Sequence, residues 1–272
     1  MKAPKFMAAV AAVVFLEASV QAQQPPVLQP IKPWVVHFDD TECYAERTYG
    51  TSANPAILGI RPSPSGDTYE LLLAHKQPAP RYAQQLEGSV DFGHAPMKAW
   101  LLRYAIKDAP YRIDKFRIEA SAMAAARSAA SVGFHIAKAA EERLALASMA
   151  GVLATLEKCN EGLRVYWNMT DAGQKQIAKP ARGDVRQVFT DKDYPDEAST
   201  QEGQAQFLLF IDEKGAIAAC HVLKPSGIPA MDGMGCQVIL QRARFKPATD
   251  ASGKPLRSAV VTPPVVWRLY GP

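Results

Sequence analysis

The chain has 272 residues, of which 48% are hydrophobic and 21% charged, and its formal net charge is +4. That composition supports a buried core and excludes wholesale disorder, and the length allows two modest domains. The charge is too small, and its Lys and Arg too dispersed, for a nucleic-acid surface.

Lys2 and Lys5 precede the apolar run Phe6–Leu16, and Val20-Gln21-Ala22 is a small-residue cleavage site. This is the order of a secretory signal peptide spanning residues 1–22, removed on export. The run is shorter than the ~20 residues of a membrane-spanning helix, so no stable membrane insertion is expected after cleavage. Residues 23–33 are a short Gln/Pro linker.

From Trp34 the pattern turns β-like. Trp34–Phe38, Ala56–Arg61, Thr68–Ala74, Val90–Phe92 and Ala99–Ile106 are strand-length apolar runs. Pro62–Asp67 is turn chemistry between two of them, which predicts a hairpin. Phe116–Ser121 leads into Ala122–Ser131, which has helix propensity but a poor apolar stripe. Phe134–Ala137 is short and strand-like. Over Ala140–Leu156, the apolar residues Leu144, Met149, Val152, Leu153 and Leu156 share one helical face. Residues 34–170 are therefore expected to form a β-rich domain, barrel-like or sandwich-like, with a late helix. The polar stretch Thr170–Arg186, with Gly173, Pro180 and Gly183, is the expected boundary.

The second unit, residues 186–270, reads as strand, turn, strand, helix and strand. Gly203–Ile211 and Ala216–Leu223 flank the turn Asp212-Glu213-Lys214-Gly215. Met231–Arg242 is helical, with Asp232 as its expected N-cap. Ser258–Val261 and Val265–Tyr270 return as strand, broken by Pro263-Pro264, which implies an edge or a bulge.

The 4 cysteines, an even count in an exported chain, suggest disulfides. Three pairings are possible. Sequence proximity favours Cys220–Cys236, which leaves Cys43–Cys159. The 5 histidines share no metal-ligand spacing, and no nucleophile or acid/base pair stands at a recognisable interval. No catalytic residue, cofactor or metal is therefore expected. Asp39, Asp40 and Glu42 read as a solvated turn, and Ser226 as a turn residue. Arg242, Arg244 and Arg268 offer a basic face to an acidic peptide or, equally, ordinary surface.

Several pieces stand here in fixed order: Tyr194-Pro195-Asp196-Glu197-Ala198, the strand-turn-strand through Gly215, Ser226-Gly227, Met231-Asp232, Arg242–Ala248 and the Gly253/Pro255 turn. Together they resemble the C-terminal domain of TonB-family energy transducers over about residues 186–270. The resemblance implies an α+β fold, a small antiparallel sheet packed by helix. It also implies a periplasmic role in TonB-type transport, with an outer-membrane TonB-dependent receptor peptide, or another periplasmic protein, as partner. In that family an extended peptide adds to the sheet edge, and by position Val265, Val266, Trp267, Arg268 and Leu269 occupy the docking strand. Full transducers carry an uncleaved membrane helix and a long Pro-rich spacer. A folded domain stands in that place here, which favours a binding or adaptor protein. The alternatives are a secreted enzyme with a catalytic N-terminal domain, or an anchored transducer if the first segment stays uncleaved.

Intact-mass measurement of the exported protein is expected to show loss of residues 1–22. A full-length chain in the inner membrane would favour the anchored transducer instead.

Overall fold

The computed structural model describes residues 25–78, 80–105, 110–137 and 139–269. The signal segment expected over residues 1–22 lies outside them. The fold is α+β. Ten strands make one strongly curled sheet: β1 (Val27–Leu28), β2 (Val35–Phe38), β3 (Cys43–Gly50), β4 (Pro55–Pro62), β5 (Thr68–His75), β6 (Gln84–Asp91), β7 (Met97–Ala105), β8 (Arg112–Glu119), β9 (Ser131–Ile136) and β10 (Ala139–Ala145). Their spatial order is β1-β10-β9-β6-β7-β8-β5-β4-β3-β2. Only the β1–β10 pair is parallel.

Period-two patterning drives this sheet. Along β4, Ala56, Leu58 and Ile60 are buried while Ile57, Gly59 and Arg61 are only half-covered. Leu71, Leu73, Leu101, Phe116 and Phe134 fill the same interior. The residues expected as a linker are part of the structure: segment 27–31 draws the two ends of the sheet together. Val27 and Leu28 pair with β10. Gln29 O then accepts from Gly50 N at 3.2 Å, and Ile31 N donates to Thr48 O at 2.9 Å. The wall is thereby barrel-like, with segment 27–31 bridging β10 and the part of β3 that β2 leaves uncovered.

The helix expected over Ala140–Leu156 is displaced. Residues 139–145 are strand β10, and helix α2 runs from Met149 to Tyr166, with Cys159 inside it. The Ala- and Glu-rich stretch favours helix locally, but β9 offers an unpaired backbone, and pairing there buries Leu144 in the barrel. Ser148, at φ 65°, separates the two elements. The Ala-rich segment before β9 is a single turn, α1 (Ala120–Met123), continued as 3-10 helix over Ala124–Arg127. Helix α2 lays Met149, Val152, Leu153 and Leu156 against the barrel interior. A disulfide from its Cys159 to Cys43 on β3 ties helix to wall, with Cα atoms 6.2 Å apart.

After the short helix α3 (Asp171–Gln176) come β11 (Gly203–Ile211), β12 (Ile217–Lys224), α4 (Pro229–Arg242), the two-residue strands β13 (Ala248–Thr249) and β14 (Pro255–Leu256), β15 (Ser258–Val261) and β16 (Val265–Trp267). Gly215, at φ 82°, makes the β11–β12 turn. Helix α4 starts on Pro229 with Ile228 as its N-cap, not on Asp232. The Asp232 carboxylate instead accepts from Ser226 N at 2.8 Å, so it braces the turn before the helix. Gly235 lets α4 approach the sheet, since a Cβ there would lie 2.3 Å from the Phe207 ring. A second disulfide joins Cys220 on β12 to Cys236 on α4. The polar stretch expected as a boundary is stitched to this unit: Lys179 bridges Thr249 and Arg182 bridges Lys246.

Strand β11 faces two cores. Ala205, Phe207, Leu209 and Ile211 pack beneath α4 with Met231, Ile239 and Trp267. Leu208 and Phe210 point the other way, into the barrel core. Phe210 stacks on Trp167, at the end of α2, with ring centroids 4.7 Å apart. Phe210→Ala is expected to cost about 3–5 kcal/mol, read as a lowered urea midpoint. Because one strand serves both cores, near-UV circular dichroism and tryptophan fluorescence should report a single wild-type transition. Two separate transitions would show that the cores unfold independently.

Candidate functional site

The β11 backbone is paired on both sides over Leu208–Ile211 and on one side over Gly203–Ala205. Strand β12 takes one side. On the other, β15 covers Leu208–Ile211 and β16 covers Gly203–Ala205. Between them Thr262, Pro263 and Pro264 stand opposite Gln206 and Phe207, one residue too many, so the strand bulges. The two prolines bring no N–H to this break. Thr262 compensates: its N–H donates to Phe207 O at 2.9 Å, and its hydroxyl accepts from Phe207 N at 3.1 Å.

Beyond the bulge, β16 has β11 as its only strand partner among the described residues. Its outer side is an open edge. Burial alternates along it: Val265 and Trp267 are buried, whereas Val266 is 48% exposed. Arg268 and Leu269 follow in the open, with Leu269 N donating to Glu202 Oε1 at 2.9 Å. The five residues expected at the docking edge therefore divide by face. Val265 and Trp267 are buried and anchor the strand, while Val266, Arg268 and Leu269 are exposed.

A groove of ≈ 380 Å³ runs beside this edge, its far wall formed by residues between Arg186 and Tyr194. Phe189 meets Trp267 edge-on, with centroids 6.1 Å apart, and floors the groove with aromatic surface. Arg186, Asp191 and Arg268 line it with charges of both signs. The far wall is clamped. Asp193 accepts Thr190 N and Oγ1, both at 2.8 Å. Arg242 on α4 binds the same carboxylate in bidentate fashion at 2.6 and 2.8 Å and reaches Val188 O at 3.1 Å.

The basic face suggested by Arg242, Arg244 and Arg268 does not assemble. Arg242 is neutralised by Asp193, Arg244 donates to the carbonyls of Gln241 and Ala243, and only Arg268 borders the groove. Sequence reasoning also missed the wall itself. Thr190-Asp191-Lys192-Asp193 carries the capping-box pattern of a helix start, the one signal from which the clamp was recoverable.

Asp193 is pulled down to about 2, chiefly by the Arg242 hydrogen bonds, against the cost of burial and with help from Thr190. An unfolded Asp titrates near ~3.9. A depressed folded value contributes stability that is complete above the unfolded pKa and is lost as pH falls toward about 2. Asp193→Asn is therefore expected to lower the melting temperature at neutral pH and to flatten its fall between about pH 4 and 2. An unchanged acid limb would show that the clamp adds nothing to the folded state.

No curated protein and no solved structure matches the chain significantly. The family model for the Gram-negative bacterial TonB protein C-terminal matches residues 190–269, which hold the Thr190–Tyr194 part of the wall, β11, α4 and the open edge of β16.

Proposed function

We propose that this is a periplasmic binding or adaptor protein of TonB-type transport. It takes an extended peptide of an outer-membrane receptor, or of another periplasmic protein, as an added strand along β16. The observation that supports this most is the unpaired edge of β16, which lies within the segment that matches the TonB C-terminal family and beside a groove. Main-chain hydrogen bonds along the edge provide affinity, and the groove reads alternate side chains. Phe189 and Trp267 suit an apolar side chain, and the mixed charges select its neighbours. Affinity is modest, because β16 offers few residues and ordering the peptide offsets part of the gain.

Fluorescence titration with N-terminal peptides of TonB-dependent receptors tests this. Wild-type protein is expected to bind saturably. Val266→Pro, which removes the donor at the centre of the edge, should weaken binding at least about tenfold while far-UV circular dichroism stays unchanged. A peptide N-methylated at alternate residues should bind only when the methyl groups point away from β16. Absence of binding, or equal binding in both methylation registers, overturns strand addition.

A further inference from the structure

A second cavity, of ≈ 320 Å³, lies where the barrel wall meets the small sheet. The barrel contributes Arg61 from β4, Glu70 from β5, Lys115 and Arg117 from β8, and the Ser63–Thr68 turn. The small sheet contributes β12 from Ala219 to Leu223. We propose that this cavity is a binding site for a small oxyanion, a carboxylate or a phosphate, held between the two units by Arg117.

The charges lining the cavity are unequal: Arg61, Lys115 and Arg117 against Glu42 and Glu70. Four of the five are consumed among themselves. Arg61 binds Glu42 at 2.7 Å and Glu70 at 3.1 Å, and Lys115 binds Glu70 at 3.1 Å. Burial alone would raise Glu70, but Lys115 and Arg61 outweigh it and hold the carboxyl at about 2, so it stays ionised. Among the described residues Arg117 makes no ion pair, although Glu70 stands opposite it across β5 and β8, because that carboxylate is taken by Arg61 and Lys115. Its Nε donates to Thr68 Oγ1 at 3.3 Å and its Nη2 to Leu223 O at 3.2 Å. These neutral acceptors aim the guanidinium without cancelling its charge, and its other N–H groups have no acceptor among the described residues. Two further carboxylates act on Arg117 at longer range, but neither lines the cavity. Asp67 is held by Ser63 and Ser65, and Asp232 by Ser226 N. The sheet side adds His221, whose Nε2 is enclosed and has no hydrogen-bond partner. Burial pushes this imidazole below its usual range, with Arg61 adding to the effect, so it is neutral at physiological pH.

An unpaired, oriented guanidinium in a partly enclosed space is a fork for an oxyanion. Because the lining comes from both units, an occupant adds contacts between them and stabilises the folded protein by mass action. The site lies on the β12 side of β11, away from the β16 groove, and does not depend on peptide binding there.

The test titrates the full chain with inorganic phosphate and with malonate at constant ionic strength, using chloride as control. Thermal unfolding and histidine-resolved NMR are the readouts. At least one probe is expected to raise the melting temperature saturably and to move the His221 ring resonances while the other histidines stay still. A response to phosphate alone assigns a phosphate ligand, and one to malonate alone a carboxylate. Arg117→Met should weaken binding about tenfold or more, and Arg117→Lys should fall between. Val266→Pro should leave the response intact. No saturable effect of either probe on wild-type protein overturns the proposal. So does a response that leaves His221 unmoved, or one equal in folded Arg117→Lys and wild type.

Discussion

Phe210 lies flat against Trp167 while its neighbours Leu209 and Ile211 point to the opposite side, toward α4. That alternation along one strand is the constraint on which the remaining architecture depends. In most small sheets one face meets water, and the period-two pattern is apolar only on the other. Here both faces of β11 are apolar and fully used: residues 207–211 are all buried. The barrel cannot lose its contact with Leu208 and Phe210 without exposing them, and α4 cannot lift from Phe207 and Leu209 without opening the other core. Trp167 makes the joint directional, because its indole N–H also donates to Asp40 O at 2.6 Å, so the stacking partner is fixed by the barrel itself.

This joint decides which part of the small sheet faces outward. Ala219, Leu223 and Ala259 pack against the barrel core, and Arg117 reaches the Leu223 carbonyl. The face that carries these residues is thereby occupied by the barrel and the cavity beside it. β16 lies on the side of β11 away from β12, set apart from β15 by the bulge at Pro263-Pro264. An open edge invites promiscuous pairing unless it is short or guarded. β16 is both: it spans Val265–Trp267, and the clamped wall from Arg186 to Tyr194 stands beside it. A short, guarded edge of this kind discourages sheet-on-sheet association.

The two disulfides reinforce the same arrangement at different depths. Cys43–Cys159 binds the wall to the helix that fills the barrel and closes a long loop, where cross-linking restricts the unfolded chain most. Cys220–Cys236 spans a separation of 16 residues and fastens α4 to β12. Each bond lies within one core, so the contact between the cores is non-covalent, made by packing, hydrogen bonds and the Arg257 guanidinium over the Tyr166 ring.

Much of the C-terminal unit was legible because its signals are local. The Gly215 turn, the strand Gly203–Ile211 and the proline break before Val265 act through neighbouring backbone, and each stands where the sequence places it. The α+β class and both cysteine pairs were legible for the same reason: periodicity and spacing are properties of the chain before it folds. Long-range pairing decided the rest. Residues 139–145 favour helix until β9 presents an unpaired edge. Segment 27–31 reads as part of a Gln/Pro linker until it lies between β10 and β3. Arg242 looks like free basic surface until Asp193 arrives from 49 residues away. The cavity around Arg117 is the extreme case: its cations come from two strands of one unit and its imidazole from another, so no interval in the sequence marks it. Sequence alone determined which segments alternate, turn and cross-link, because those tendencies need only neighbouring residues. Which edge stays open, and which charge stays unpaired, followed only from tertiary packing, because burial and charge neutralisation depend on what distant segments bring to the same point.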